Sequence, residues 1–571
     1  MEFDPNNTAG PKTFAKFIAR LGEVAPRLML KQLVELSRLL DSESYVIRMS
    51  LIDVVGDLLI WLLDGMASDN GPELAEQSRK DQMEQFFDII EERFRDMNAF
   101  VRCKVLQVVS RVCKCKAKFP SRRTRLIDLT ISRLEDKSAH VRANSIKTLI
   151  IFIQTHPFAI DGGELNAHLF KSRMEEINKQ MTSIKAPKGL QEEFNELEEA
   201  ESADGNPDNF MEKKEAEESA QQVAIFMKLQ LQQKYYSDAL VFIQQLRDAI
   251  PILCQLLSSK NKTEVVDTME FFVVAYKYKL NEAVIGVQQM IHLVWNKDGG
   301  TEETRSVRSH LIRCFQSLYL EFDENTSQKE NVNRITRQLI SLTFEATLAD
   351  LTSLDELLSV IVTEGAIHED VVQRLWAVYG SERTDIPKAQ RRGAILILGM
   401  LARANYSIIA NNLDVIMRVG LSALGQCDLT LARFSLIALQ RLVPSKKGKG
   451  VQQEEYVRLP MNADIFSSMK SLILTPTRSL HWFSTAEEAV NAIFLLCDQA
   501  DALASEVLKE MFMIVTSKLA SESESSPISS FKLAQLLFIA GHVAIKEIVL
   551  LEDIEATLKR RKADEKGIFS F

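Results

Sequence analysis

Two cysteines two positions apart are the first residues in this chain whose types and spacing could do chemistry. Cys113 and Cys115 form a CxC pair, and cysteine thiolates are zinc ligands. A structural zinc site needs four ligands, and no further Cys or His follows at the spacing of a zinc finger. The chain has seven cysteines, an odd number, and six of them lie in apolar helical patterns. We therefore predict packed thiols rather than a metal site or a disulfide framework, which is typical of a reducing compartment.

Catalytic motifs are absent from the sequence. The Gly-Lys-Gly stretch at 448–450 lacks the frame of a phosphate-binding GxxxxGK[ST] loop, and no GxSxG, HExxH or paired CxxC motif occurs. The eight histidines are scattered. His481 lies beside Trp482 and Phe483, where packing or helix capping is the expected role. The sequence predicts a protein that is not an enzyme, with no cofactor and no small-molecule substrate.

A dense run of basic residues is the strongest signal outside the apolar pattern. Between Arg102 and Arg125 there are nine Lys or Arg residues and no Asp or Glu. Positive charge near a helix start is unfavourable against the helix dipole, so its presence there indicates an external anion such as a DNA phosphate. The residues predicted to contact DNA are Arg111, Lys114, Lys116, Lys118, Arg122, Arg123 and Arg125. A solvated edge, or an internal partner for an acidic segment of the chain, is the alternative.

A lysine–glycine loop is the second feature outside the apolar pattern. Lys446, Lys447, Gly448, Lys449 and Gly450 lie between the predicted helices "LTLARFSLIALQRL" and "MNADIFSSMKSLIL". Glycine lets a backbone approach another surface closely, and the three lysines make the loop positive. Two interpretations follow: the loop is slack, or it contacts a partner.

The elements that position these residues repeat along the chain. In two segments an Asp is followed five residues later by Val-Arg, Asp96 with Arg102 and Asp136 with Arg142, and the two arginines are 40 residues apart. Apolar residues of each following helix recur at helical spacing on one face. We expect the Asp to cap the next helix and the Arg to pair with carboxylates of its own or the adjacent repeat. The period predicts an all-α HEAT-repeat superhelical solenoid of about ten helix pairs, with an acidic insertion.

The acidic insertion dominates the net charge of −9. Twelve acidic residues and two lysines lie between Gln191 and Glu218, so the rest of the chain is close to neutral and can carry basic faces. Its charge and low apolarity predict a mobile excursion. The predicted domains are 1–160 N-terminal HEAT repeats, 161–220 acidic insertion, 221–443 central HEAT repeats, 444–460 Lys-Gly loop, and 461–571 C-terminal HEAT repeats with an end helix.

The location in the cell follows from what the sequence lacks. No uninterrupted apolar run approaches the roughly 18 residues that span a bilayer. Met1 is not followed by a basic-then-apolar signal pattern. We therefore expect a cytosolic or nuclear protein with no membrane partner.

Three blocks of sequence resemble one protein family. They begin with "NAFVRCKVLQVVSRV", "AIPILCQLLSSKNKTEVV" and "FIAGHVAIKEIVLLEDIEATLKRR", and they lie in order over most of the chain. These blocks resemble condensin complex subunit 1, a family of non-SMC HEAT subunits. Members of the family are considerably longer at both ends, so we expect this chain to be a central fragment.

The resemblance implies a regulatory, non-catalytic subunit. The family binds the central region of the kleisin subunit, contacts the SMC ATPase heads and helps bring double-stranded DNA to condensin during mitotic chromosome condensation. The resemblance therefore implies a nuclear and cytoplasmic protein that is on chromosomes in mitosis. It also implies that residues 446–450 face an SMC head, which favours a contact over slack for this loop; the kleisin-binding residues are not indicated.

Two other functions stay open at this stage. A transport or adaptor solenoid would bind peptide segments without DNA, with ladders of acidic residues or of Trp and Asn on its surface. The four tryptophans show no such period. An enzyme regulator with no role in DNA binding is the other alternative.

Overall fold

The computed structural model describes residues 9–66, 76–115, 119–159, 162–183, 210–296, 307–381, 386–443, 458–519 and 527–568. The chain divides into two compact units. The first comprises Met1–Leu293 and Asp298–Cys314, and the second comprises Val294–Lys297 and Phe315–Phe571. This division falls inside the segment 221–443 that the sequence assigned to one set of central repeats.

The described residues form 24 α-helices. The first twelve are α1 Ala9–Val24, α2 Pro26–Ser37, α3 Tyr45–Met66, α4 Glu76–Arg93, α5 Ala99–Cys113, α6 Pro120–Ser132, α7 Ala139–Gln154, α8 Ala167–Ser183, α9 Phe210–Leu256, α10 Lys262–Lys277, α11 Ala283–Ile291 and α12 Val307–Phe315. The others are α13 Gln328–Ser341, α14 Leu348–Thr363, α15 Glu369–Tyr379, α16 Lys388–Ala402, α17 Ser407–Ala410, α18 Leu413–Val419, α19 Ala423–Cys427, α20 Leu429–Leu439, α21 Asp464–Leu474, α22 His481–Leu496, α23 Ala500–Leu519 and α24 Pro527–Ile568.

The first unit is built on a layer of helices in which α1, α3, α5, α7 and α10 each pack against the next. The helices α4, α6 and the C-terminal part of α9 pack in sequence beside this layer. The valines predicted on one face of α5 are all buried: Val101, Val105, Val108 and Val112. Because each of the described helix pairs buries its apolar face against its neighbours, the array is of the HEAT type. The predicted all-α HEAT-repeat fold is confirmed.

The repeating arginines link successive repeats. Arg48 forms two hydrogen bonds to Asp96, each at 2.9 Å, and Arg102 forms two to Asp136, each at 2.8 Å. Burial alone would raise the pKa of Asp96. The hydrogen bonds from Arg48 and from the Asn98 N–H outweigh burial, and they hold that pKa below its usual range. The predicted pairing of the arginine with a carboxylate of the adjacent repeat is confirmed.

The same aspartates organise the turns that start the next helices. The Asp96 carboxylate accepts a hydrogen bond from the Asn98 N–H at 2.8 Å, and the Asn98 side chain in turn accepts from the Phe100 N–H at 2.8 Å. Asp136 accepts from the Ser138 N–H in the same way, at 2.9 Å. The aspartate therefore shapes the turn, and the residue two positions later provides the N-cap of α5.

The layer continues across the insertion. α7 packs directly on α10, although α8 and α9 lie between them in sequence. Arg142 contacts Glu264 at 2.7 Å, so a buried glutamate takes the place of the repeating aspartate. α8 packs along α9, with Phe170 and Ile177 buried. The segment 161–220, predicted to be a mobile excursion, therefore begins with a packed helix. The acidic residues 184–209 lie outside the described residues.

The second unit repeats the same plan. α16, α20, α22 and α24 pack in succession, α13, α14 and α15 pack on α16, and α21 and α23 pack on α22. Arg392 of α16 contacts Asp428 at 2.7 Å, and the Asp428 side chain accepts from the Leu431 N–H at 3.2 Å. The link between an arginine and the aspartate at the start of a later helix therefore recurs here. A parallel β-bridge joins Leu459 to Cys497.

Candidate functional site

The predicted DNA-contacting residues lie at the end of α5, at the start of α6 and in the turn between these helices. Pro120 occupies the first turn of α6, where its missing N–H is not needed for helix hydrogen bonds. Lys114, directly after α5, is exposed, and its N–H donates to the Arg111 carbonyl at 3.1 Å. Lys116 and Lys118 lie outside the described residues.

Arg111 pairs with two carboxylates of the preceding repeat. It contacts Asp53 at 2.8 Å and Asp57 at 2.7 Å, and Lys104 also contacts Asp53 at 2.8 Å. Burial raises the pKa of Asp57, and the charge of Arg111 offsets this effect only in part. The positive charge of Arg111 is therefore compensated within the layer formed by α3 and α5, and a DNA phosphate would compete with two carboxylates for it.

Arg122 lies among three carboxylates of α4. Its Nε donates to Glu84 Oε2 at 2.6 Å, and its Nη1 contacts Asp88 at 2.7 Å and Glu91 at 3.0 Å. Only 16% of the Arg122 side chain is exposed. Burial acts to lower the pKa of Arg122, but the hydrogen bonds to the three carboxylates outweigh burial and raise it. Arg122 therefore fastens α6 to α4 rather than facing solvent.

Arg125 is the most accessible of the predicted arginines on α6. Its side chain is 68% exposed, and its Nε contacts Glu91 Oε2 at 2.6 Å. Glu91 is buried between Arg122 and Arg125 and pairs with both. Arg125 can turn its remaining N–H groups to an outside anion, because a guanidinium has five donors.

The prediction that Arg123 contacts DNA does not fit its position. Arg123 is buried, and its Nη2 donates to the Phe152 carbonyl at 2.8 Å and to Thr155 Oγ1 at 2.9 Å. Its guanidinium lies over the Phe152 ring, 5.0 Å from the ring centroid. Burial lowers the pKa of Arg123. The residue joins α6 to the C-terminal end of α7, where those carbonyl groups need donors.

The carboxylates of α4 were not identified from the sequence. Glu84, Asp88 and Glu91 are spaced i, i+4 and i+7, which places them on one side of α4. This spacing, one repeat before the basic run, was the available signal. Among the described residues of this region, the structure therefore brings together a cluster of paired charges on α4 and α6, where the sequence predicted an open basic patch.

The Lys-Gly residues 446–450 lie outside the described residues, but the chain on both sides of them is anchored. Before the loop, Arg441 contacts Asp355 at 3.1 Å. After it, the Leu459 N–H donates to the Leu496 carbonyl at 2.8 Å, and the Asp498 N–H donates to the Leu459 carbonyl at 3.0 Å. The described residues on either side of 444–457 are therefore held by contacts within the second unit.

The cysteines show no arrangement for metal binding in the part of the chain that the structure describes. No group of three or more His, Cys, Asp or Glu residues there could hold a metal ion. Cys113 is buried, and burial raises the pKa of its thiol to about 12. A protonated thiol is a poor nucleophile and a poor ligand, so Cys113 is a packing residue.

Two helices are apolar over a long stretch. Ala224–Leu256 and Ser530–Lys559 are long and apolar enough to cross a membrane by length and composition alone, although no uninterrupted apolar run has that length. In the most apolar windows of these helices, 44% and 17% of the residues are buried. The first helix includes core positions of the first unit, and one or two such helices are weak evidence for a membrane protein. The second, within α24, exposes large apolar side chains: Leu537, Ile545, Ile548, Leu551 and Ile554.

The layered helix pairs and the arginine–aspartate links between them define a HEAT-type helical-repeat protein. The chain is similar to condensin complex subunit 1 along nearly its whole length. It is 31% identical to that subunit from Schizosaccharomyces pombe over 602 residues, which cover 99% of this chain and 51% of the relative. It is 32% identical to the Saccharomyces cerevisiae subunit over 608 residues, covering 98% and 50%, and 25% identical to the Xenopus laevis subunit over 655 residues, covering 97% and 47%.

The chain spans about half the length of the curated relatives that it matches. No protein-family model matches it. Among solved structures it is similar to a C-terminal fragment of the Chaetomium thermophilum cohesin loader SCC2, with a TM-score of 0.40 and 13% identity over 93% of this chain and 42% of that one. Importin beta gives a TM-score of 0.29 and 12% identity over 96% and 57%. TM-scores of this size do not establish a shared fold, so the fold assignment is based on the packing of the helix layers.

Proposed function

We propose that this chain acts as a non-catalytic HEAT subunit of condensin that binds the kleisin subunit, contacts an SMC ATPase head and helps bind double-stranded DNA in mitotic chromosome condensation. The observation that carries the proposal is the similarity to condensin complex subunit 1 over 97–99% of the chain. An array of helix pairs supports it, because such arrays offer extended binding surfaces. The protein would be nuclear and cytoplasmic, and on chromosomes in mitosis.

Binding to the kleisin subunit is the most direct test of the proposed function. Co-expression with the central region of the kleisin subunit should give a stable complex that elutes together in size-exclusion chromatography. The matched control is the same kleisin fragment with its order of residues scrambled. Failure to form a complex with the authentic fragment, while the helical fold is intact, would remove the condensin assignment.

The DNA part of the proposal rests on the accessible charges at the α5–α6 turn. Lys114 is exposed, and 68% of the Arg125 side chain is exposed. Arg111 and Arg122 would contribute only by exchanging a carboxylate for a phosphate, since each already has two or more acidic partners. Phosphate contacts would position the protein on DNA without reading its sequence.

Charge reversal at this turn tests the DNA contact. Lys114→Glu with Arg125→Glu should weaken duplex binding and reduce the slope of log affinity against log salt by roughly two, because each lost phosphate contact removes about 0.9. Lys171→Glu with Lys179→Glu is the matched control, because both residues are exposed lysines of α8. An unchanged slope in the first variant would take the turn out of the proposal.

The SMC-head contact is proposed for the loop 446–450. Fixed anchors at Arg441 and Leu459 support it, because they limit where the positive loop can reach. Replacing the five residues by a neutral linker of equal length should reduce capture of an isolated ATPase head and leave the fold unchanged. Undiminished capture would mean that the loop is slack.

No observation favours the adaptor alternative in the described residues. Trp376 and Trp482 are buried, and Trp295 alone of the three is exposed, at 54%, with its indole N–H donating to Ser353 Oγ at 2.9 Å. These tryptophans therefore do not form the surface ladder that a peptide-binding adaptor of that kind would need.

A further inference from the structure

Around residues 227–236, the long helix α9 packs against α8 on one side, the closed side, and is exposed on the opposite side, the open side. On the closed side, Leu229 and Tyr236 are buried against α8, and Gln233 Nε2 donates to Asn178 Oδ1 at 2.8 Å. On the open side, Leu231 is 70% exposed and Met227 is 42% exposed. These two residues are spaced i and i+4, so they form an apolar stripe along the side of α9 that faces away from α8.

Lysines border this stripe on both sides. Lys228 and Lys234 are exposed, and their positions on a helix of 3.6 residues per turn lie on opposite sides of Leu231. Residues 224–237 contain these two lysines and no Asp or Glu. The open side of α9 is therefore apolar along its centre and positive along both edges.

The backbone of α9 decides which kind of partner can bind. Its N–H and C=O groups are used within the helix, so it has no free edge to which an extended strand could add. A two-helix hairpin with an apolar stripe on its open side accepts a third helix by packing of side-chain ridges into grooves. Glutamates or aspartates flanking the apolar residues of that third helix would pair with Lys228 and Lys234.

We propose that the open side of α9, formed by Met227, Leu231, Lys228 and Lys234, is a docking surface for an acidic amphipathic helix of another protein. This surface lies on the hairpin of α8 and α9. The proposal does not depend on the condensin assignment. Large apolar side chains that are exposed in a row, with charge of one sign at the edges, are typical of protein–protein contact sites.

A labelled amphipathic peptide of about 18 residues is a suitable probe, with Leu at i, i+4, i+7 and i+11 and Glu on both flanks. Fluorescence polarisation with the whole chain should show binding that weakens as salt is added, because the lysine contacts are screened. Leu231→Glu should weaken binding by about tenfold or more, since a central apolar contact is lost and a like charge is introduced. Ser237→Glu, on another side of the same helix, is the matched control.

A charge exchange gives the decisive comparison. The double variant Lys228→Glu with Lys234→Glu should no longer bind the Glu peptide. It should instead bind a peptide in which every Glu is replaced by Lys. Equal binding of both peptides to the parent chain, or binding unaffected by Leu231→Glu in a chain with unchanged circular dichroism, overturns the proposal.

The acidic run of this chain is the competing occupant. A chain in which the glutamates between 192 and 199 are changed to Gln separates the two cases. If the parent chain does not bind the Glu peptide and the altered chain does, the surface is taken by the chain itself, and an external partner is excluded. Similar binding by both chains supports the external partner.

Discussion

The guanidinium of Arg102 donates two parallel hydrogen bonds to the carboxylate of Asp136, one repeat further along the chain. Nε reaches Oδ2 and Nη2 reaches Oδ1, both at 2.8 Å. The Asp136 side chain is only 3% exposed. Such a bidentate pair fixes the spacing of two turns, and loss of one partner leaves a charge in a site that water barely reaches.

Asp136→Ala should therefore lower the unfolding free energy of the first unit by about 3 kcal/mol. The double change Arg102→Met with Asp136→Leu should cost less than the single change, because it leaves no unpaired buried charge. Urea unfolding followed by circular dichroism measures both. Glu23→Ala is the control, since its pair with Arg20 is exposed and the loss of that pair should cost below about 1 kcal/mol. A single and a double variant of equal stability would show that the pair is not a link of this kind.

Close packing between α10 and α11 makes a second prediction. A Cβ atom at Gly286 would lie 2.1 Å from the Phe272 ring, which is fully buried. Gly286→Ala should destabilise the first unit by about 2 kcal/mol, because overpacking outweighs the roughly 1 kcal/mol gain in helix propensity. Gly541→Ala in α24 is the matched control: no atom lies within 4 Å of its added Cβ, so it should be neutral or stabilising. Equal effects at the two glycines would contradict the packing argument.

The exposed face of α24 gives a third prediction. Ile548 and Leu551 are 58% and 62% exposed. Ile548→Lys with Leu551→Lys should reduce binding of a hydrophobic dye and self-association at high concentration, and it should change the unfolding free energy by no more than about 0.5 kcal/mol. Ile539→Lys is the contrasting variant, because Ile539 of the same helix is fully buried and the change should unfold the second unit. Unaltered dye binding by the first variant would show that this face of α24 is not the surface that binds the hydrophobic dye.

The repeat could be read from the sequence because its signals are local. Asp96, Arg102 and the valines of α5 recur at fixed spacing, and each forms or shapes a contact within its own or the next repeat. The partners of Arg122 could not be read in this way. They belong to α4, and which side of α4 faces α6 depends on how the two helices pack.

Two adjacent arginines on α6 show most clearly which part of the site was not predicted from the sequence. Arg122 and Arg123 are neighbours in sequence, but successive helical residues point about 100° apart. Arg123 falls on the same side as Leu126, Ile127 and Thr130, which are buried. The prediction from the sequence assigned both arginines to one basic patch. The spacing of the apolar residues, however, already placed Arg123 on the packed side of the helix.

A half-buried histidine, His156, predicts how the first unit responds to acid. The His156 ring joins the end of α7 to the loop before α8: its Nδ1 accepts from the Phe158 N–H at 3.1 Å, and its Nε2 lies 3.1 Å from the Gly163 carbonyl. Since Nδ1 accepts a hydrogen bond, Nε2 carries the proton and the ring is neutral. Burial lowers the pKa of His156. The unfolded chain therefore binds a proton more readily, so this contribution to stability is present above about pH 6.5 and is lost as the pH falls below it.

We expect hydrogen exchange at residues 155–165 to accelerate between pH 7.5 and pH 5.5, after correction for intrinsic exchange, more in the parent chain than in His156→Gln. The comparison with the variant is needed because Asp267 acts in the opposite direction. Burial raises its pKa to about 6, so the stability it contributes is present at low pH and is lost as the pH rises through about 6. Both chains contain Asp267, and the difference between them isolates the histidine. The same pH response in both chains would mean that protonation of His156 does not open this loop.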